Sequence, residues 1–179
     1  MFSFLPLTAN IDHKIFCTHG GLPRFAGGPD NRLETLTRDD FPRFESFFQI
    51  PQTEPPLHTL CRQVASDVCW SDPAENERDV NEYGFGPNPR GNGVILFGST
   101  AVDDFLHAYG FEYIFRAHQE KSDGLKISKN ARVVTIFSTS GYVGHSNGAG
   151  LLYVGDGRIR MIVKEADAPT PNEDPSPGY

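Results

Sequence analysis

Two histidines stand just after short apolar runs of the sequence, and they are the first candidates for chemistry. His19 follows the run at residues 14–18 and precedes a pair of glycines, and His118 comes two residues after the run at 111–116. Because neighbouring buried strands end at a shared edge of a sheet, the two imidazoles can meet there although they are far apart along the chain. Imidazole nitrogens bind divalent metals well, so the pattern indicates a metal-binding pair. The alternative is that each histidine is an ordinary surface or core residue.

Arg90 is the candidate for binding an anion. It lies in the loop at residues 87–93, where prolines stiffen one side and glycines free the other. A guanidinium held in this way can donate two parallel hydrogen bonds to a phosphate. The chain carries a net charge of −7, so a phosphate must be bound by such a local cation rather than by overall charge. The alternative is a solvated loop arginine.

The composition fits a globular protein of about one domain. The chain has 179 residues, of which 38% are hydrophobic and 22% charged, and it contains no apolar run typical of a transmembrane helix. Sixteen Lys and Arg against 23 Asp and Glu disfavour nucleic acids and anionic membranes as partners. Three unpatterned cysteines and a start without signal-peptide features predict an intracellular protein, in the cytoplasm or the nucleus.

The hydrophobic pattern predicts the elements that would position these residues. Buried strands are predicted at residues 14–18, 94–97, 111–116 and 133–137, and a hairpin at 149–154 and 158–163. Helices are predicted at 57–66 and 100–109, the second with Ser99 or Thr100 as N-cap and Gly110 after its last turn. Residues 29–56 favour turns and short helical pieces that pack phenylalanines.

The end of the chain has a different composition. Residues 165–179 contain four acidic residues, four prolines and no basic residue. Such a segment predicts a disordered, solvated tail, with a docking or regulatory tail as the alternative. We therefore divide the chain into a folded part, 1–164, and an acidic proline-rich tail, 165–179.

Five blocks of sequence, in this order, resemble the PPP family of metal-dependent serine/threonine protein phosphatases. The blocks are residues 14–22 (KIFCTHGGL), 70–73 (WSDP), 90–91 (RG), 116–119 (RAHQ), and 138–142 (STSGY) with 147–150 (NGAG). Residues 4–7 (FLPL) also resemble the family's segment before the first of these strands. The resemblance covers most of residues 4–164. It implies an α+β fold, the calcineurin-like metallophosphoesterase β-sandwich flanked by helices.

The resemblance also implies a reaction and a set of site residues. Members of the family hydrolyse phosphoserine and phosphothreonine in proteins with a hydroxide activated by two divalent metals, commonly manganese, iron or zinc. By matching position, His19 and His118 are ligands of the same metal and Arg90 binds the phosphate. Tyr142 lines the substrate site. Asp67, three residues before the WSDP block, supports the metal centre without binding a metal directly.

Other motifs of the family do not occur in this sequence. GDxHG, GDxVDRG and GNHE, which the family places before the first matching block, are absent from the 179 residues. In the family they supply the bridging aspartate, further metal ligands, a second phosphate-binding arginine and the acid for the leaving group. The chain is therefore predicted to be the C-terminal part of a catalytic domain, at residues 1–164, and an incomplete sandwich. We expect an exposed apolar sheet face, weak or partial metal binding and no useful activity alone.

The expected partners are a phosphoprotein substrate and either the missing N-terminal half or a regulatory subunit. Two other functions remain open at this level. A non-catalytic pseudophosphatase would keep Arg90 and Tyr142 and bind phosphoproteins or regulators. A small zinc module would use His19 and His118, although two ligands rarely suffice for a structural zinc site.

Overall fold

The computed structural model describes residues 5–24 and 56–166, which fall into two compact units. The first comprises Met1–Gln119 and Ile127–Thr135, and the second comprises Glu120–Lys126 and Ile136–Tyr179. In chain order the elements are β1 (Thr8–Ile11), β2 (Ile15–Thr18), α1 (Pro56–Trp70), β3 (Asp72–Pro73), β4 (Phe85–Pro87), β5 (Ile95–Phe97), α2 (Ser99–Tyr109), β6 (Tyr113–Arg116), β7 (Leu125–Ser128), β8 (Val133–Ile136), β9 (Ala149–Gly155) and β10 (Arg158–Lys164). The predicted α+β class is confirmed.

Parallel pairing brings the ends of three strands to one edge of a sheet. The five-stranded sheet has the order β1-β2-β6-β8-β7, and β6 runs parallel to both β2 and β8. These three strands coincide, within two residues at each end, with the runs predicted at 14–18, 111–116 and 133–137. Their β-branched and aromatic side chains are largely buried, which is typical of parallel strands, so the exposed apolar face expected of an incomplete sandwich is not found on these three strands.

Helix α2 packs on this sheet through one face. Its buried positions, Ala101, Val102, Phe105 and Leu106, follow helical spacing. They join the core cluster of Phe16, Leu22, Phe97, Ile114 and Val133. Gly110 has φ 71°, a left-handed conformation that glycine adopts without strain, and its N–H bonds back to Leu106 to end the helix as predicted.

Two predicted helix ends are wrong. The N-cap of α2 is Gly98 rather than Ser99 or Thr100, because Glu77 accepts a 2.9 Å hydrogen bond from the Ser99 N–H and caps the helix from a distant segment. The first helix runs to Trp70 rather than to residue 66, because Val68 is buried and continues its apolar face. Tertiary packing decides both ends.

The second unit carries the predicted hairpin, β9–β10, whose turn contains Asp156 and Gly157, both with positive φ. Its large apolar side chains stay about half exposed. They are Leu151, Tyr153, Met161, Ile162 and Val163, at 46–50%. Leu151 pairs with Ile162, whereas Met161 and Val163 alternate to the opposite face, so both faces of the ribbon are apolar and open.

Four short strands, β1, β3, β4 and β7, were not predicted; β3, for example, has only two residues. The described residues contain no helix with the length and apolar character needed to cross a membrane. The predictions for residues 29–55, and for the tail from residue 167 onward, lie outside the described residues.

Candidate metal and phosphate site

The two histidines meet at the sheet edge formed by β2 and β6. His118 Nδ1 lies 3.2 Å from His19 Nε2, and the ring centroids are 5.0 Å apart. A hydrogen bond of 3.0 Å from the Ala117 N–H to the His19 carbonyl continues the parallel pairing beyond the strands. His118 itself has φ 63°, a left-handed conformation that is strained for a residue with a side chain.

Both imidazoles are neutral at physiological pH. Burial, followed by the positive charge of Arg90, lowers the pKa of His118 to about 4. Burial and the charge of Arg116 also lower the pKa of His19. The neutral ring is the form that binds a metal. His118 Nε2 is in addition buried without a hydrogen-bond partner among the described residues.

The facing nitrogens fit two ligands of one metal ion. When metal–nitrogen bonds are about 2.0–2.1 Å and the angle between them lies between 90° and the tetrahedral value, the two nitrogens are about 2.8–3.4 Å apart. The 3.2 Å between His19 and His118 falls in that range. Within residues 5–24 and 56–166, however, no group of three or more His, Cys, Asp or Glu side chains comes together at one point. This part of the chain offers a metal two imidazoles.

The loop after His19 packs directly on the end of α1. The Gly20 N–H donates a 2.7 Å hydrogen bond to the Val68 carbonyl, and a Cβ at Gly20 would lie 2.5 Å from the backbone of Cys69. Only glycine permits this approach. The same helix end places the Trp70 ring edge-on against His118, with centroids 5.2 Å apart.

A buried carboxylate beside the histidines binds two arginines. Asp72 Oδ2 accepts hydrogen bonds from Arg90 Nε at 2.7 Å and from Asn88 Nδ2 at 2.9 Å, and Oδ1 accepts one from Arg116 Nη2 at 2.9 Å. Burial alone would raise the pKa of Asp72. The hydrogen bonds from Arg90 and Asn88 and the charge of Arg116 outweigh burial and hold that pKa below its usual range.

Arg116 connects three segments that carry site residues. Its Nε donates to the Gly20 carbonyl at 2.6 Å, its Nη2 to the Ser71 carbonyl at 3.0 Å, and its Nη1 to Gln119 Oε1 at 2.9 Å. These acceptors follow His19, α1 and His118 in the chain. Burial lowers the pKa of Arg116 to about 10, against the opposing charge of Asp72, so the guanidinium remains protonated at neutral pH.

Arg90 projects from a loop that is fixed by its own hydrogen bonds. Asn88 Oδ1 accepts from the Arg90 N–H at 2.9 Å, and the Asn88 carbonyl accepts from the Gly91 N–H at 3.0 Å. The Arg90 side chain is 38% exposed, so its guanidinium is held on one side and open on the other. This arrangement can bind an anion next to the histidines.

Asp67 lies in α1 and pairs with Arg24. Its carboxylate accepts from Arg24 Nε at 3.0 Å, from Nη2 at 2.7 Å and from the Arg24 N–H at 3.0 Å. Burial raises the pKa of Asp67, while the hydrogen bonds from Arg24 act to lower it. Arg24 Nη2 also donates to the Gly93 carbonyl, which places Asp67 behind the Arg90 loop. Its predicted support of a metal centre stays a prediction.

Tyr142 belongs to the second unit, in a turn at Tyr142–Gly144. Its N–H donates to Asn147 Oδ1 at 2.8 Å, and Asn147 Nδ2 donates to the Thr139 carbonyl at 2.7 Å, so one buried amide fixes the loop. Tyr142 is 46% exposed, and its ring stands edge-on to Phe137. The predicted role of Tyr142 at a substrate site is not tested by these contacts.

Four residues of this site have no role predicted from the sequence: Asp72, Arg116, Asn88 and Arg24. Asp72 and Arg116 did lie inside the WSDP and RAHQ blocks. A charged residue at the end of an apolar strand, as Arg116 is after residues 113–115, was the available signal, because a buried charge requires a partner.

Comparisons with known proteins identify the family of the chain. The family model described as calcineurin-like phosphoesterase matches residues 1–121. The chain is 32% identical over 172 residues to the serine/threonine-protein phosphatase BSL2 of Arabidopsis thaliana, a match that covers 96% of this chain and 15% of BSL2. A solved serine/threonine phosphatase of Saccharomyces cerevisiae, described as similar to human phosphatase PP5, matches with a TM-score of 0.60 and 25% identity over 95% of this chain and 50% of its own. The chain thus spans half or less of these relatives.

Proposed function

This chain belongs to the calcineurin-like phosphoesterase family, and from that membership we propose that it takes part in the metal-dependent hydrolysis of phosphoserine and phosphothreonine in proteins. It contributes the C-terminal portion of the catalytic domain and is inactive alone. The proposed substrate is an intracellular phosphoprotein. The proposed partner is a polypeptide that carries the signatures GDxHG, GDxVDRG and GNHE, or a regulatory subunit.

The observation that carries the proposal is the placement of a neutral histidine pair beside an anchored arginine. His19 Nε2 and His118 Nδ1 face each other at 3.2 Å, and Arg90 lies close enough for its charge to lower the pKa of His118. A metal-ligand pair and a cation for the phosphate are the two components that hydrolysis of a phosphate ester requires from this part of a site.

Each residue then has a defined task. His19 and His118 hold one divalent metal, manganese, iron or zinc. When bound, such a centre supplies Lewis-acid activation of water and of the phosphoryl group. Arg90 binds the phosphate oxygens and compensates their charge, and Tyr142 lines the substrate site. Asp67 supports the site indirectly: it binds Arg24, and Arg24 in turn donates to the Gly93 carbonyl in the loop that carries Arg90.

Inactivity of the isolated chain follows from the ligands that it lacks. Two neutral imidazoles provide no negative charge to balance a pair of divalent ions, and the described residues gather no further ligand set. The absence of an acid for the leaving group alone typically costs about 10²–10⁴-fold in rate. A metal centre of full strength therefore needs carboxylates from a second polypeptide segment.

The test is a complementation assay with a phosphoserine peptide and Mn²⁺. The full chain is assayed alone and after refolding with the N-terminal half of the catalytic domain of the yeast relative. We expect turnover only in the mixture, and its loss with Arg90→Ala. Arg132→Ala is the matched control, because Arg132 is an exposed arginine whose guanidinium donates to the Glu112 carbonyl. Turnover by the chain alone, or turnover in the mixture that is indifferent to Arg90→Ala, contradicts the proposal.

A second function, binding of phosphoproteins or regulators without catalysis, is favoured by one observation. The contacts that hold Arg90 all come from within the chain, through Asp72 and Asn88, whereas no complete ligand set for a metal is present in the described residues. This function predicts that a phosphoserine peptide binds in the presence of EDTA and is released by Arg90→Ala.

A further inference from the structure

Asp72 is placed between a buried and an open arginine. The side chain of Asp72 is 5% exposed, that of Arg116 is fully buried, and that of Arg90 is 38% exposed. One carboxylate oxygen accepts a hydrogen bond from Arg116, and the other accepts hydrogen bonds from Arg90 and Asn88. The group thus carries two positive charges against one negative charge.

Arg116 binds one oxygen of the Asp72 carboxylate. Its guanidinium is fixed by acceptors in three separate segments, Gly20, Ser71 and Gln119. Asp72 is held against this rigid cation by a 2.9 Å hydrogen bond. The position of Oδ2, which receives Arg90, is therefore set by Arg116 in the core together with Asn88 of the loop at residues 87–93.

The way in which Arg90 is held determines which of its nitrogens remain available. Its Nε donates to Asp72, and its backbone N–H donates to Asn88. The two terminal nitrogens of the guanidinium have no hydrogen bond to the described residues. They are the donors that form a two-pronged contact with a phosphate.

We propose that Asp72 is a positioning residue for phosphate binding. By holding Arg90 at Nε, it leaves the two terminal nitrogens of the guanidinium pointing outward, already placed to donate hydrogen bonds to a phosphate. The proposal rests on the proposed phosphate role of Arg90 and deepens it. The benefit comes from immobilising a long flexible side chain before the anion arrives, since ordering such a side chain on binding reduces affinity.

Two physical effects of Asp72 have opposite signs, which makes the proposal testable. As a negative charge near the anion, Asp72 weakens phosphate binding, so its neutralisation would tighten binding. As a positioning residue it strengthens binding, so its neutralisation weakens it. The sign of the change in affinity for Asp72→Asn separates the two.

The experiment is a titration of the full chain with inorganic phosphate at constant ionic strength. The side-chain Nε–H signals of the arginines are followed by NMR. We expect Asp72→Asn to bind phosphate about two- to tenfold more weakly than the wild type. Asp72→Glu keeps the charge on a longer side chain, and we expect an intermediate loss. Asp79→Asn is the matched control, with the same charge change on an exposed side chain, and we expect unchanged or slightly tighter binding.

The outcomes distinguish this inference from the function on which it rests. Saturable binding by the wild type that is abolished by Arg90→Ala supports the phosphate role of Arg90, and its absence overturns that role together with the inference. If the wild type binds but Asp72→Asn binds equally or more tightly, only the inference is overturned. If Asp72→Asn does not fold, Asp72→Glu decides, and wild-type affinity in that variant overturns the inference.

Discussion

The two arginines on Asp72 are expected to contribute very unequally to stability. Arg116 is fully buried and makes four side-chain hydrogen bonds, whereas Arg90 is 38% exposed and makes one, to Asp72. Removing one partner of a buried ion pair typically costs about 3–5 kcal/mol, because the remaining charge and carbonyls lose their partners. A partly exposed pair contributes about 0–1 kcal/mol. Arg116→Met should therefore lower the free energy of unfolding by about 3–5 kcal/mol, and Arg90→Ala by about 1 kcal/mol or less.

The assay is urea unfolding at pH 7, followed by the fluorescence of Trp70. Trp70 is the only tryptophan of the chain and the last residue of α1, so its signal reports on the unit that contains both arginines. Arg132→Met, at an exposed arginine, controls for the loss of a surface cation and should cost less than about 0.5 kcal/mol. Equal costs for Arg116→Met and Arg90→Ala would refute the reasoning, since they would mean that burial does not determine the contribution of each pair.

Three further predictions concern other parts of the chain. Since the pKa of Asp72 is lowered in the folded state, its stabilisation is present above the ordinary carboxyl pKa near 4 and is lost as the pH falls through the lowered value. The stability difference between wild type and Asp72→Asn should shrink between pH 5 and pH 2, and a constant difference in urea titrations would contradict this. Glu77→Ala removes the cap on the Ser99 N–H and also the ion pair with the buried Lys129, so it should destabilise the protein by about 1 kcal/mol or more in thermal unfolding, and an unchanged Tm would contradict this. The hairpin β9–β10 should bind a hydrophobic dye, and the double variant Leu151→Gln, Met161→Gln should reduce the fluorescence of the bound dye. Undiminished fluorescence would mean that the dye binds another apolar surface.

Local sequence patterns were sufficient to predict the elements that position the site. The runs at 14–18, 111–116 and 133–137 are short, β-branched and aromatic, and each forms a buried parallel strand. The inference that His19 and His118 meet needed only the rule that parallel strands end together, and their nitrogens do lie 3.2 Å apart. The end of α2 was predictable because Gly110 ends the helix through a hydrogen bond to Leu106, which lies in the last turn.

Long-range contacts could not be predicted in this way. Glu77 caps α2 from 22 residues away, and Arg116 reaches Asp72 across 44 residues. A local pattern contains no information about which partner a charge will find. The same holds for Asp67, whose partner Arg24 is 43 residues distant. The network that holds Arg90 is therefore visible only in the folded structure.

The measurement that tests the central claim most directly asks whether His19 and His118 share one metal ion. Cu²⁺ binds nitrogen ligands more tightly than the other divalent first-row metals, so it suits a site with two imidazoles. With one equivalent of Cu²⁺, electron paramagnetic resonance should show coupling to two imidazole nitrogens in the wild type and to one in His118→Ala. His107→Ala, at an exposed histidine of α2, should leave the spectrum unchanged. Identical spectra for the wild type and His118→Ala would contradict the account.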